Sequence, residues 1–228
     1  MELPEVVSRE QWLQARKALL AQEKELTRRR DALAAERRRL PMVAIEQGYS
    51  FTGPEGTVTL AELFGGARQL VVHHIMFGPD WDEPCPVCTN HMDGLTPVVF
   101  DRMRARDTAF VLISSAPAAK IAAAQERHGW SLPWYSSAGT SFNYDFGVRV
   151  DPAVAPPEYN YRPEPELGPG ELPGASSFLR DGGQIFHTYS AYARGLDHTD
   201  QVNAYLDLTA FGRSEAWEEP KGRAPVLY

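Results

Sequence analysis

Leu70-Val71-Val72-His73-His74-Ile75-Met76-Phe77 runs into Gly78-Pro79-Asp80-Trp81-Asp82-Glu83-Pro84 and then into Cys85-Pro86-Val87-Cys88. A continuous apolar run bounded by Gly and Pro fits a buried strand. Pro86 suits the first position of a helix, where its missing N–H is no loss. Cys88, Met92, Leu95, Val99 and Met103 then follow at helical spacing to about Arg106, with Gly94 and Pro97 expected to kink or divide that helix. Ala109-Phe110-Val111-Leu112-Ile113-Ser114 reads as a second buried strand, and Pro117 to His128 as a helix closed by Gly129. Strand, helix, strand, helix in this order implies parallel pairing through a right-handed crossover.

A CxxC placed between a buried strand and a helix is the setting of a thioredoxin-like redox motif. Cys85 and Cys88 are the only cysteines, so the chain has no other disulfide to form and no four-cysteine zinc cage. A cysteine at a helix start meets unpaired N–H groups and the positive end of the helix dipole, which stabilise a thiolate. Cys85 is expected to be the exposed nucleophile and Cys88, about one turn on, the buried resolving thiol. Asp80, Asp82, Glu83 and Asp93 oppose a thiolate by like charge, leaving the sign of the net shift open.

His91, three residues after Cys88, is either a proton shuttle, a third ligand beside the cysteines, or a polar residue on a helix. His73 and His74 point to opposite faces of their strand. One is expected to be a hydrogen-bonded core histidine and the other, His74 in our assignment, to line the site; His187 has similar standing. Tyr144, Tyr159, Tyr161, Tyr189 and Tyr192, with Trp81, Trp130 and Trp134, form either an aromatic wall around a pocket or an aromatic-rich core. Arg180 and Arg194 either bind an anion or pair with surface carboxylates. No cofactor or resident metal is expected.

With 228 residues and 43% apolar content, the chain suits one soluble domain with appendages. No stretch approaches a membrane span, and the start lacks a secretory pattern, so we expect a cytoplasmic protein with no membrane partner. Residues 1–40 carry ten Lys and Arg against seven Asp and Glu; the remainder carries thirteen against twenty-three. That acidic body argues against nucleic-acid binding. Residues 8–40 read as one helix, with Ser8 and Gln11 as a capping box and Pro41 as the stop. Trp12, Leu19, Leu26, Leu33 and Leu40 recur every seven residues as a narrow stripe. The domain assignment is therefore a helical arm at 1–40 and a body at 41–228, with the arm expected to hold a homodimer together.

Tyr49–Thr52 and Thr57–Leu60 flank Gly53-Pro54-Glu55-Gly56 as a hairpin, and Ser176–Arg180 and Gln184–Thr188 flank Asp181-Gly182-Gly183 as another. Residues 151–173, rich in proline, read as an inserted surface excursion, expected to close over the cysteines. Asp200 to about Phe211 reads as a final helix.

Several segments together carry a resemblance: Cys85–Cys88 leading into His91-Met92-Asp93-Gly94, then Phe142-Asn143-Tyr144-Asp145-Phe146-Gly147, Phe178-Leu179-Arg180-Asp181-Gly182 and Ile185-Phe186-His187-Thr188-Tyr189-Ser190. They resemble the bacterial thioredoxin-like family filed as domain of unknown function 899. The resemblance implies an α/β thioredoxin-like three-layer sandwich with an N-terminal hairpin and long helix added in front, and it lends no substrate. Against better-known relatives, Asp82 stands where peroxiredoxins carry threonine, three residues before the first cysteine. Pro84 and Trp81 replace the tryptophan that precedes the first thioredoxin cysteine. Pro173 is the candidate for the proline that faces the cysteines before the third strand, with Ala175 as the alternative. The expected activity is thiol–disulfide exchange on an unidentified thiol or disulfide partner. The alternatives are a non-catalytic ligand- or metal-binding module and a structural dimer.

Overall fold

The computed structural model describes residues 3–220, which fall into two compact units, Pro41–Thr199 and the α1 arm with the segment from Asp200 onward. In the arm, α1 (Arg9–Arg37) starts at the capping box of Ser8 and Gln11 and buries none of its residues. Its stripe of Trp12, Leu19, Leu26, Leu33 and Leu40 is 46–59% exposed.

In the larger unit, β1 (Val43–Ala44), β2 (Ser50–Gly53) and β3 (Gly56–Thr59) precede the short α2 (Leu60–Leu63) and β4 (Gln69–His74). The helix that opens with the cysteines is divided as the sequence implies. α3 (Pro86–Asp93) ends at Gly94, and α4 (Pro97–Arg104) restarts with Pro97 in its first turn. β5 (Thr108–Ser114), α5 (Ala118–His128), β6 (Trp134–Ser136), α6 (Phe142–Asp145) and β7 (Arg149–Val150) follow. The proline-rich excursion is ordered by two small ladders. β8 (Glu158–Tyr159) pairs with β9 (Arg162–Pro163), and β10 (Gly170–Glu171) pairs with β7. β11 (Gly174–Asp181) and β12 (Gln184–Tyr192) form the long hairpin, which turns through Gly182 and Gly183, both at positive φ. In the smaller unit, α7 (Gln201–Leu206) stops well short of the expected Phe211.

The main sheet has the order β1-β12-β11-β4-β5-β6-β2-β3. β4, β5 and β6 are mutually parallel, while β11 runs antiparallel beside β4 and β12 beside β11. β12-β11-β4-β5, with a CxxC helix crossing over between β4 and β5, is a thioredoxin-like core; the β2–β3 hairpin and long α1 are the additions in front.

Side-chain alternation sends β4 to two cores. Leu70 and Val72 join Phe51, Phe64, Val111, Ile113, Phe142 and Phe178 on one face. Just beyond the strand end, Ile75 and Phe77 join Cys88, Met92, Leu112, Ile121 and Trp134 on the other. Trp134 and Phe142 are almost fully buried, and each contributes roughly 1.5–3 kcal/mol by leaving water. Gly53 is required by packing: a Cβ there would lie 2.6 Å from the Tyr135 ring.

Candidate redox site

The loop after β4 is fastened at both ends. The Cys85 N–H donates to the Met76 carbonyl at 2.9 Å, and the Trp81 N–H to that of Gly78 at 3.2 Å. Helix α5 then supplies cations to it: Lys120 Nζ donates to the Trp81 carbonyl at 2.8 Å, and Arg127 donates to that of Asp82 at 3.2 Å. Glu83 pairs with Arg127 at 2.7 Å and lies 3.5 Å from His128. The Glu83 carboxylate thus faces positive charge from α5, which weakens its opposition to a thiolate.

Cys85 is the N-cap of α3, half-buried, and Cys88 faces the core, 5% exposed. The two are unbonded thiols 4.4 Å apart. The Cys88 side chain is the largest influence on Cys85, with the N–H groups of Cys88 and Val87 adding to the effect. Together they overcome burial and lower the Cys85 pKa from 9.0 to about 6. The same contact and burial push the Cys88 thiol far up. The arrangement favours the thiolate at Cys85 and the protonated thiol at Cys88.

A groove of about 420 Å3 is lined by Pro84 and Pro86, the neighbours of Cys85 in the chain, with Thr89, Glu83, Arg127 and His128; Cys85 itself does not line it. Pro84 is itself buried, and the prolines on either side of Cys85 present no N–H of their own to this wall.

The other expected site residues are dispersed. His74 is corrected: being in step with Leu70 and Val72, it lies on the face opposite α3, against the rings of Phe142 and Phe146 at 5.7 and 6.2 Å. His73 takes the α3 side, stacked on His91 with centroids 4.4 Å apart. Burial lowers the pKa of His73 well below the usual histidine value, and His91 adds to this. His74 and His187 are joined through two serines. His74 Nε2 lies 2.9 Å from Ser176 Oγ, Ser176 Oγ 2.8 Å from Ser190 Oγ, and Ser190 Oγ 2.8 Å from His187 Nε2. Burial lowers the His74 pKa to about 3 and holds that of His187 down as well. Among the described residues, no three His, Cys, Asp or Glu side chains are grouped to hold a metal ion, Cys85, Cys88 and His91 included.

Pro173 directly precedes β11, because that strand begins at Gly174 rather than at Ser176, and its peptide is not cis. Its carbonyl accepts the Tyr159 hydroxyl at 2.7 Å. The expected aromatic wall divides. Tyr144, Tyr159, Tyr161 and Tyr192 line one cavity, Trp81 and Tyr144 line a smaller one, and Trp134 is core. Trp130 stacks on His128 at 4.1 Å. Arg180 lies over Phe64 and donates to the Ala67 carbonyl, and Arg194 pairs with Asp197.

Sequence reasoning passed over Glu171, whose side chain is 4% exposed. Ser115 Oγ donates to it at 2.5 Å, Asn143 Nδ2 at 3.4 Å, and Arg149 stands 3.5 Å away. Burial nevertheless raises its pKa. Glu171 and Trp81 share a cavity of about 190 Å3 with the loop that leads to Cys85. A glutamate between glycines and prolines carries no local mark of burial; three distant segments create it.

Among solved structures, the chain is similar to the bacterioferritin comigratory protein of Xanthomonas campestris, studied for alkyl peroxide reduction. The identity is 13% and the TM-score 0.47, over 75% of this chain and 96% of that one. It is similar to peroxidoxin BcpB from Mycobacterium tuberculosis at 14% identity and TM-score 0.47, covering 70% and 92%. A hypothetical protein from Sinorhizobium meliloti matches at 16% identity and TM-score 0.44, covering 76% and 88%. No curated protein matches the sequence. The family model of a bacterial protein of unknown function, DUF899, matches residues 1–224, and the chain belongs to that family.

Proposed function

We propose that the protein is a thiol–disulfide oxidoreductase with Cys85 as nucleophile and Cys88 as resolving thiol. The observation that carries this reading is the division of labour at the start of α3. Cys85 is half-exposed with its pKa lowered to about 6, while Cys88 is buried and protonated beside it. The Cys85 thiolate attacks one sulfur of a disulfide substrate, forming a Cys85–substrate disulfide and releasing the other substrate sulfur as thiolate. Cys85 then has no charge to share, so the interaction that held the Cys88 proton most strongly is gone. Cys88 loses that proton to solvent or to the departing thiolate and attacks Cys85 Sγ. The substrate leaves as its second thiol, two electrons have passed to it, and the protein holds a Cys85–Cys88 disulfide. A second dithiol returns the protein to its reduced state. Such a cycle suits a reducing compartment such as the cytoplasm.

The groove along Pro84 and Pro86 supports a substrate laid beside Cys85. The reading is tested with Cys88→Ser protein and a chromogenic aromatic disulfide. A mixed disulfide on Cys85 should accumulate, detected by intact mass, whereas the unmodified protein should turn over to the internal disulfide. Failure of Cys85 and Cys88 to form a disulfide that dithiothreitol reverses would end this reading.

A further inference from the structure

A cavity of about 520 Å3 lies between the segment following α6 and the β8–β9 hairpin, with Tyr192 of β12 among its lining residues. This is within the usual range for small-molecule sites, roughly 300–1,000 Å3. Tyr159 and Tyr161 each stand edge-to-face on Tyr192, with centroids 5.6 and 5.4 Å away and planes at 66° and 73°. All three hydroxyls are engaged by the backbone. That of Tyr159 donates to the Pro173 carbonyl at 2.7 Å and accepts the Ala193 N–H at 2.9 Å. Those of Tyr161 and Tyr192 donate to the carbonyls of Ser190 and Phe146 at 3.3 and 2.9 Å. What these side chains leave for a ligand is ring surface.

The polar complement of the cavity is acidic. Asp145, Asp151 and Glu158 line it against one cation, Arg149. That guanidinium is already placed, 3.5 Å from Glu171 and over the Tyr144 ring at 5.3 Å. Asp145 accepts hydrogen bonds from the hydroxyls of Tyr49 and Ser141 at 2.8 and 2.6 Å, and Asp151 from the Ala153 N–H at 2.9 Å. These neutral donors orient the carboxylates without cancelling their charge.

Tyr161 is also kept against a backbone preference. Asn160 and Tyr161 form the two-residue turn of the β8–β9 hairpin at φ of 51° and 63°. A turn with both residues in the left-handed region favours asparagine followed by glycine, and tyrosine in the second place is strained. Its gain is the ring set against Tyr192. Residues held in such backbone conformations cluster at ligand sites.

Aromatic rings attract a cation held against their faces, and several rings with nearby carboxylates are suited to alkylated ammonium groups, which offer no N–H and are recognised through their diffuse charge. We propose that the cavity walled by Tyr159, Tyr161 and Tyr192 binds a small organic cation of the quaternary or alkylated ammonium class.

The full-length reduced protein is titrated calorimetrically with choline and tetramethylammonium. Dimethylbutanol serves as choline's neutral isostere and benzoate as an anionic control. Saturable binding of the ammonium probes is expected at millimolar dissociation constants or tighter, with the isostere about tenfold weaker, a factor that cation–π attraction supplies. Tyr161→Gly suits the left-handed backbone, so its thermal midpoint should hold or rise while choline affinity falls at least about fivefold. Cys85→Ser should bind choline as the unmodified protein does, which separates this site from the redox reading. Equal affinity for the isostere, preference for benzoate, absence of saturable ammonium binding, or full affinity in Tyr161→Gly would each overturn the proposal.

Discussion

Replacing Cys88 by alanine should weaken the Cys85 thiolate more than any other single substitution at the site. The Cys88 thiol is the first contributor to the fall of the Cys85 pKa from 9.0 to about 6, ahead of the N–H groups of Cys88 and Val87, which alanine leaves in place. At a pKa of about 6, roughly 90% of Cys85 is thiolate at pH 7, against about 1% at the ordinary value. Without the Cys88 donor the remaining N–H groups work alone against burial, and the pKa should rise above about 7. At pH 6 the thiolate fraction then falls about fivefold or more, and the alkylation rate with it. Cys88→Ser, which keeps a hydroxyl donor, should fall between the two. Iodoacetamide labelling across pH 4–10, followed by intact mass, reads this directly because each variant has one cysteine. An unmodified protein whose labelling midpoint stands near 9, or a Cys88→Ala midpoint that stays at about 6, would refute the reasoning.

The linkage has a definite sign. A thiol whose folded pKa is depressed binds fewer protons folded than unfolded in the window between the two values. The reduced protein should therefore gain stability relative to Cys85→Ser as pH rises from about 6 to about 9, and lose that gain as pH falls through 6.

Gly174→Ala would set a Cβ 2.6 Å from Val148 Cγ1 and 3.0 Å from the Tyr192 ring, at the start of β11 where β4 and β12 flank it. Overpacking of this kind costs about 1–3 kcal/mol, and a urea midpoint equal to that of the unmodified protein would show that the strand start yields freely. The arm's stripe leaves Trp12, Leu19, Leu26, Leu33 and Leu40 about half exposed. Burial against a second copy would gain up to roughly 1.5–3 kcal/mol for each side chain. The full-length protein is thus expected to be a dimer by light scattering and the protein lacking residues 1–40 a monomer, and a full-length monomer at tens of micromolar would exclude the contact.

The parts legible in the sequence are those specified by neighbours along the chain. Ser8 with Gln11 marks the start of α1, Pro86 and Pro97 mark two helix starts, and Gly182-Gly183 marks the β11–β12 turn, because each is a local conformational requirement. The positions of Cys85 and Cys88 follow from the same local logic. The choice between His73 and His74 needed the sheet's facing, and period-two alternation alone fixes only that the two differ. Gly174 and Ala175 have low strand propensity, so local sequence places the start of β11 at Ser176; pairing with His74 and His73 of β4 on one side and with β12 on the other overrides it. α7 ends early although its sequence remains permissive beyond Leu206. Glu171, Ser115, Asn143 and Arg149 meet from four separate segments, a convergence no local pattern encodes.

The line from His74 through Ser176 and Ser190 to His187 has a direction. Three hydrogen bonds need three protons, and two serine hydroxyls supply two, so one imidazole donates from Nε2 and the other accepts there. His74 Nδ1 is buried without a hydrogen-bond partner, a place where a bare lone pair is tolerated far better than an orphaned N–H. His74 is therefore the Nε2–H tautomer; His187 must then accept at Nε2 and carry its proton on Nδ1, and the protons point from the interior strand toward the outer hairpin. Reversing the string would require both rings to exchange tautomers together, so nitrogen-15 shifts of the two histidines should report opposite tautomers and change in concert.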